Sequence, residues 1–334
     1  MTKNKLPKIT ILATGGTIAG AAPSSSQLTG YAAGAFGVDA LISAVPQLTD
    51  VAAISGEQLA NIDSKDMTAE IWLRLAKRCN ELLAGDIDGI VITHGTDTLE
   101  ETAYFLNLTV RSEKPVVLVG AMRPATAISA DGPLNLLNAC ITAASSDAYG
   151  KGVLAVMNDE IYSARDVVKM STSNVAAFKS PVTGALGEVV AGKARFYKAP
   201  LRRHTVSSQF DVSNMNAGDL PRIDIIYSYA DADDVFIKAA VAAGAQGIVY
   251  AGSGMGSIPE RVEAALAEAA GSGVIVVRSS RVACGIVDAG LSHWSEAGFL
   301  NSDSLNPQKA RVLLQLALTQ TRDGAEIQKI FDEY

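Results

Sequence analysis

The chain has 334 residues, 48% of them hydrophobic and 19% charged, a composition that excludes intrinsic disorder. Its 28 Lys and Arg against 35 Asp and Glu leave a net charge of −7, which argues against nucleic acid or an anionic membrane as a general partner. Mean hydropathy is high at +0.20, yet apolar runs such as 116–122 fall far below the ~18 residues of a spanning helix. At the N-terminus Lys3, Lys5 and Lys8 precede a stretch broken by Thr10, Thr14, Gly15 and Gly16. That pattern lacks the ~7–15 apolar residues of an export signal. The expectation is a soluble, cytoplasmic protein for the chain as written, or a periplasmic one if a signal peptide has been removed.

In chain order, 9–13, 89–93, 115–119 and 152–158 read as strands, and 69–83, 99–108 and 134–144 as helices. Within 69–83, Ile71, Trp72, Leu75, Cys79, Leu82 and Leu83 recur near a period of 3.6, giving one buried face. The strands are continuously apolar, as expected where helices cover both faces of a largely parallel sheet. From 198 to 220 the pattern lapses into polar residues without periodicity and reads as a linker. Alternation then resumes with strands at 223–227, 247–251 and 274–277 and helices at 232–243 and 259–270, Pro259 suiting a first turn. Two helices, 307–318 and 325–331, close the chain. The expected organisation is a catalytic α/β domain over 1–197, the linker over 198–220, and a second α/β domain over 221–334.

Cys79, Cys140 and Cys284 are widely spaced without a CxxC pair, and His94, His204 and His293 are far apart. This pattern predicts free thiols in a reducing compartment and no metal site.

Two segments share one design. The run at 9–13 enters Thr14-Gly15-Gly16-Thr17, and the run at 89–92 enters Thr93-His94-Gly95-Thr96-Asp97-Thr98. Each puts a threonine just beyond the carboxyl end of a strand, where open parallel sheets form ligand crevices. Glycine there permits a tight turn and close approach of backbone N–H groups to a substrate oxygen. Either turn alone is equally well an ordinary strand–helix connection with a capping threonine, but two in one domain favour a site. A threonine hydroxyl needs a base or a charged neighbour to act as a nucleophile. There is no GxSxG elbow, so a Ser–His arrangement lacks support. Asp97 could orient an ammonium group of a substrate or a lysine. Lys169, in Arg165-Asp166-Val167-Val168-Lys169, is one charged partner among many lysines.

Other motifs carry less. The loop at 252–257 approximates a dinucleotide-binding turn but has Ser257 at the third glycine. No GxxxxGK[ST] loop exists, and Asp231, Asp233 and Asp234 suit the start of the following helix.

Seven segments carry a resemblance: ILATGGTIAG at 11–20, VITHGTDTLEETAYFL at 91–106, KPVVLVGAMRP at 114–124, SADGPLNL at 129–136, VMNDEI at 156–161, RSSRV at 278–282 and LNPQKARVLLQLALTQT at 305–321. With these the chain resembles the bacterial type II L-asparaginase family, including its glutaminase-asparaginases, over essentially its whole length. The resemblance implies the family's two-domain α/β fold, with larger N-terminal and smaller C-terminal flavodoxin-like parallel sheets. It implies cofactor-free hydrolysis of L-asparagine, and often of L-glutamine, by a homotetramer with sites between subunits. Thr17 matches the acyl-accepting threonine and Tyr31 the assisting tyrosine of the loop at 20–37 that closes over the site. Thr96, Asp97 and Lys169 match the second catalytic group. Ser64 matches the serine that holds the α-carboxylate, and Asp97 the contact to the α-amino group. Gly16, Asp63, Gly95, Ala121 and Ser257 complete the implied substrate-binding set.

The chain departs from the family pattern at four places. Lys65 stands where many relatives have Gln, and Ser257 where some have Asn, a change associated with broader glutamine use. The acidic residue that a neighbouring subunit supplies has no match within 284–299, Gly290, Leu291 and Ser292 lying nearest. Ser112 stands where some relatives place a disulfide partner for Cys79. An amino-acid binding protein without turnover and a glutamine-hydrolysing component of an amidotransferase are the alternative expectations.

Overall fold

The computed structural model describes residues 5–27 and 34–334. The chain forms two compact units that divide after Ser213, inside the polar stretch at 198–220.

In the first unit, β1 (Lys8–Gly15) is followed by the short helices α1 (Val38–Ser43) and α2 (Leu48–Val51) and by β2 (Ala53–Ile62). Next come α3 (Ala69–Ala84), β3 (Gly89–Thr93), α4 (Leu99–Thr109), β4 (Val116–Val119), α5 (Gly132–Ala143) and β5 (Val153–Met157). These strands lie side by side and parallel in the order β2-β1-β3-β4-β5, the flavodoxin-like arrangement. Beyond β5 the sheet continues antiparallel through β6 (Glu160–Ser163), past the separate hairpin of β7 (Val168–Lys169) and β8 (Phe178–Lys179), to β9 (Gly187–Val190) and β10 (Lys193–Phe196). The sheet is therefore mixed, with eight strands.

Side chains alternate across the strands. Ile9, Ile11, Val91, Val117, Val119, Leu154 and Val156 pack in one cluster with Leu41 of α1, Leu48 of α2, and Leu136, Ala139 and Cys140 of α5. The buried alternates Leu12, Ile90, Ile92 and Leu118 face the side taken by α3 and α4. Helix α4 is buried almost all round, so its polar side chains need partners. Trp72 Nε1 of α3 donates to Thr102 Oγ1 at 2.8 Å, and the Trp72 ring stacks on Phe105 with centroids 5.1 Å apart. Asn107 Oδ1 accepts from the Val153 amide. After β10 the chain stays packed on this unit. Phe210 and Val212 are buried, Ser208 Oγ donates to the Leu108 carbonyl, and Arg111 reaches the Ser208 carbonyl at 2.6 Å.

The second unit is a four-stranded parallel sheet in sequential order: β11 (Ile223–Tyr227), β12 (Gly247–Gly252), β13 (Ile275–Ser280) and β14 (Leu300–Asn301). Helices α6 (Val235–Ala242) and α7 (Glu260–Gly271) bury Ile237, Val262 and Leu266 against Ile248, Tyr250 and Val276. The short α8 (Ser292–Glu296) adds Trp294 to that cluster, while α9 (Pro307–Ala317) packs on β11–β13 and α10 (Gly324–Glu333) on α9. All three cysteines are free, Cys79 and Cys140 buried and Cys284 exposed. Burial pushes the Cys79 and Cys140 thiols up to about 12, which leaves them protonated and inert.

Candidate active site

The two threonine-bearing turns leave adjacent parallel strands, with Ala13 of β1 in register with Thr93 of β3. Their glycines bring the turns together. Gly16 has φ 83°, and a Cβ there would fall on the backbone of Gly95. Gly15 has φ 103°, and its Cβ would collide with the Ile62 backbone at the end of β2. A Cβ on Gly95 would meet Ser64 Oγ at 2.6 Å, and one on Gly120 would meet Thr96 Cγ2 at 3.0 Å. Loops at the carboxyl ends of β2, β1, β3 and β4 thus meet closely, backbone against backbone at Gly15 and Gly16 and backbone against the Ser64 and Thr96 side chains at Gly95 and Gly120.

Thr17, nearly buried at 8% exposure, opens a single 3-10 turn directly after Gly16. Across from it, Ser64 accepts the Asp97 amide on Oγ at 3.1 Å, and its carbonyl accepts from Thr98 Oγ1 at 2.8 Å. Ser64 thereby fixes the turn that carries Thr96 and Asp97. Lys169 enters from β7. Its Nζ donates to Thr96 Oγ1 at 2.9 Å and to Asp97 Oδ1 at 2.6 Å. The Lys169 side chain is only 17% exposed and that of Asp97 57%, so the ion pair is screened on one side only. An ammonium that donates to a hydroxyl leaves the hydroxyl proton directed elsewhere and stabilises negative charge on that oxygen.

His94, in the turn after β3, is fully buried. Its Nδ1 lies 2.7 Å from the Gly95 carbonyl, which can only accept, so Nδ1 carries the proton. Desolvation lowers the imidazole to about 4, so it is neutral at ordinary pH.

The remaining expected residues fall as follows. Ala121 is fully buried just after β4, in a loop where Asp131 accepts the Met122 and Arg123 amides at 2.9 Å each. Asp63 forms an ion pair with Lys65 at 2.5 Å, and this hydrogen bond raises the Lys65 ammonium above its ordinary value. Ser257 lies in the second unit, in the turn after β12, where it pairs with Ser253 as an isolated bridge. Tyr31 lies outside the described residues. On either side of it, Ala125 donates to the Gly20 carbonyl and Ile128 to that of Ser25, while Asn61 Nδ2 donates to the Gly34 carbonyl at 2.8 Å. Among the described residues, no three His, Cys, Asp or Glu side chains group as metal ligands. No described helix is long and apolar enough to cross a membrane.

Sequence reasoning missed Glu100 and Asn61. Glu100 lies in the first turn of α4, is 7% exposed, and accepts the Lys169 amide on Oε2 at 2.7 Å. The signal was an acidic residue on the buried side of an apolar helix.

Comparison with known proteins shows the family and the fold. A family model described as "Asparaginase, N-terminal" matches residues 8–202, and one described as "Glutaminase/Asparaginase C-terminal domain" matches 222–331. The chain is 54% identical to an L-asparaginase 2 of Escherichia coli, covering 98% of this chain and 94% of the relative. It is 48% identical to a glutaminase-asparaginase of Pseudomonas fluorescens, covering 100% of this chain and 92% of the relative. The crystal structure of a probable cytoplasmic L-asparaginase from Campylobacter jejuni superposes with a TM-score of 0.96 at 55% identity, covering 98% of this chain and 100% of that one.

Proposed function

The chain belongs to the asparaginase and glutaminase family, and we propose that it hydrolyses the side-chain amide of L-asparagine to L-aspartate and ammonia, with some turnover of L-glutamine. The observation that carries the reading is the Lys169 ammonium, shared between Thr96 and Asp97 beside the turn that presents Thr17.

In this reading Thr17 Oγ attacks the amide carbon. The new C–O bond pushes the carbonyl electron pair onto oxygen, and a backbone N–H at Thr96 stabilises the oxyanion. Collapse breaks the C–N bond, the threonine proton leaves on nitrogen, and ammonia departs. The second half-reaction adds water to the ester, releases L-aspartate and returns the proton to Thr17. Tyr31 assists Thr17, while Thr96, Asp97 and Lys169 supply the charged group that polarises the hydroxyl. Ser64 takes the α-carboxylate and Asp97 the α-amino group, with Gly16, Asp63, Gly95, Ala121 and Ser257 completing the pocket. The mechanism calls on no metal or organic cofactor.

The first unit is read as the catalytic domain, and the second as contributing to a neighbouring subunit's site in a homotetramer, as the family resemblance implies. The three free thiols favour a reducing, cytoplasmic compartment. A coupled assay for ammonia and L-aspartate tests the activity. The two products are expected in equal amounts from L-asparagine, with slower ammonia release from L-glutamine. An inactive protein on both amides contradicts the reading.

A further inference from the structure

We propose that Glu100 is a positioning residue that holds Lys169 at Thr96. The inference rests on the reading of Lys169 as the cation that serves the threonine hydroxyl. Glu100 sits in the first turn of α4, three residues after Asp97, and its side chain lies inside a helix that is otherwise packed on nearly every face. Burying a carboxylate is costly, and most of its neighbours on α4 are apolar or small and neutral. Its Oε2 accepts the main-chain N–H of Lys169 at 2.7 Å, a contact between residues 69 positions apart.

Two features make that position a good one for an anion. The free N–H groups and dipole of α4 favour a negative charge in its first turn. A carboxylate acceptor also makes a stronger bond to a main-chain N–H than a neutral acceptor does. β7 is only two residues long and, among the described residues, pairs as a strand only with the equally short β8, so its hairpin lies outside the large sheet. The sheet ladder therefore does not set the place of the Lys169 backbone. Glu100 does so from the helix that carries Thr96 and Asp97 just before its first turn. Main chain to Glu100 and Nζ to Thr96 and Asp97 make two points of attachment between one residue and one helix end. With the first removed, the Lys169 main chain is held only by its hairpin and the turn before it, and the ammonium must find Thr96 at the end of a four-carbon stem. Misplacement of that kind costs rate more than it costs binding.

The test is steady-state ammonia release from L-asparagine by the wild type, Glu100→Ala and Glu100→Gln, with unfolding temperatures measured alongside. Glu100→Gln retains an amide oxygen that can accept the same N–H, so it is expected to keep at least a third of kcat. Glu100→Ala is expected to lose about 10- to 100-fold in kcat with KM within about threefold, an order set by misplaced catalytic groups. Should the alanine variant fail to fold, Glu100→Asp, one methylene too short, is expected to lose at least tenfold in kcat. A Glu100→Ala or Glu100→Asp protein that melts earlier but keeps kcat within twofold overturns the proposal, because the role is then structural only. A Glu100→Gln protein as slow as the alanine variant also overturns it. An active wild type with either result removes the Glu100 assignment alone, whereas an inactive wild type removes the functional reading with it.

Discussion

His94 sits in the turn after β3, inside the candidate site, and yet takes no part in the proposed chemistry. Its Nδ1–H is committed to the Gly95 carbonyl, Nε2 has no hydrogen-bond partner among the described residues, and full burial holds the ring neutral. The folded-state value of about 4 lies below the ordinary 6.5, so between those limits the unfolded chain binds a proton that the folded one does not. This contribution to stability is complete above pH 6.5 and drains away as pH falls toward 4, by roughly 1.4 kcal/mol per pH unit. The His94 ring signal in NMR should therefore stay flat from pH 7.5 to 5. A titration midpoint between 6 and 7 contradicts the assignment and opens the ring to a role in proton transfer.

At the scale of elements, the site is made where four strand ends converge, and its tolerances are set by glycines. Gly16 is the most exposed to test, since its φ of 83° disfavours any side chain and a Cβ would strike the Gly95 backbone, which cannot swing aside. Gly16→Ala should cost about 2–5 kcal/mol in chemical unfolding, the sum of a left-handed penalty and overpacking. It should also abolish most turnover, because the Thr17 and Thr96 turns are then forced apart. A loss below about 1 kcal/mol would mean that the two turns are not in contact.

The elements most legible in the sequence share one physical property. β1, β3, β4 and β5 are buried on both faces and so read as largely apolar runs, whereas the edge strand β2 exposes Gln58 and Asn61 and carries half-exposed Glu57. The short strands from β6 to β10 escape because two to four residues are too few to show a period. Likewise the polar letters of 198–220 conceal the buried Phe210 and Val212. The threonine turns stand out locally because glycine and threonine mark them. The neighbours of Lys169 do not, since residues 72 and 73 positions away meet only through the fold. Glu100 stayed hidden at the start of a mostly apolar helical segment, where an acid in a first turn is usually a helix-dipole partner.

For the whole molecule, two α/β units of unequal size each carry their own core, and 48% hydrophobic content exceeds what a solvated surface requires. Exposed Tyr227, Tyr229, Val235 and Phe236 on the second unit add to this apolar excess. The proposed homotetramer accounts for both. Sedimentation equilibrium should return four times the chain mass of 34.8 kDa, and a monomer at micromolar concentration contradicts it. In the proposed reaction one threonine hydroxyl, presented by Gly15-Gly16-Thr17, opens the amide and carries the acyl group. The most direct test is ammonia release from L-asparagine by purified Thr17→Ala beside the wild type. A folded protein with turnover reduced by about a thousandfold or more is expected, and a variant that releases ammonia at near wild-type rate would contradict this role of Thr17.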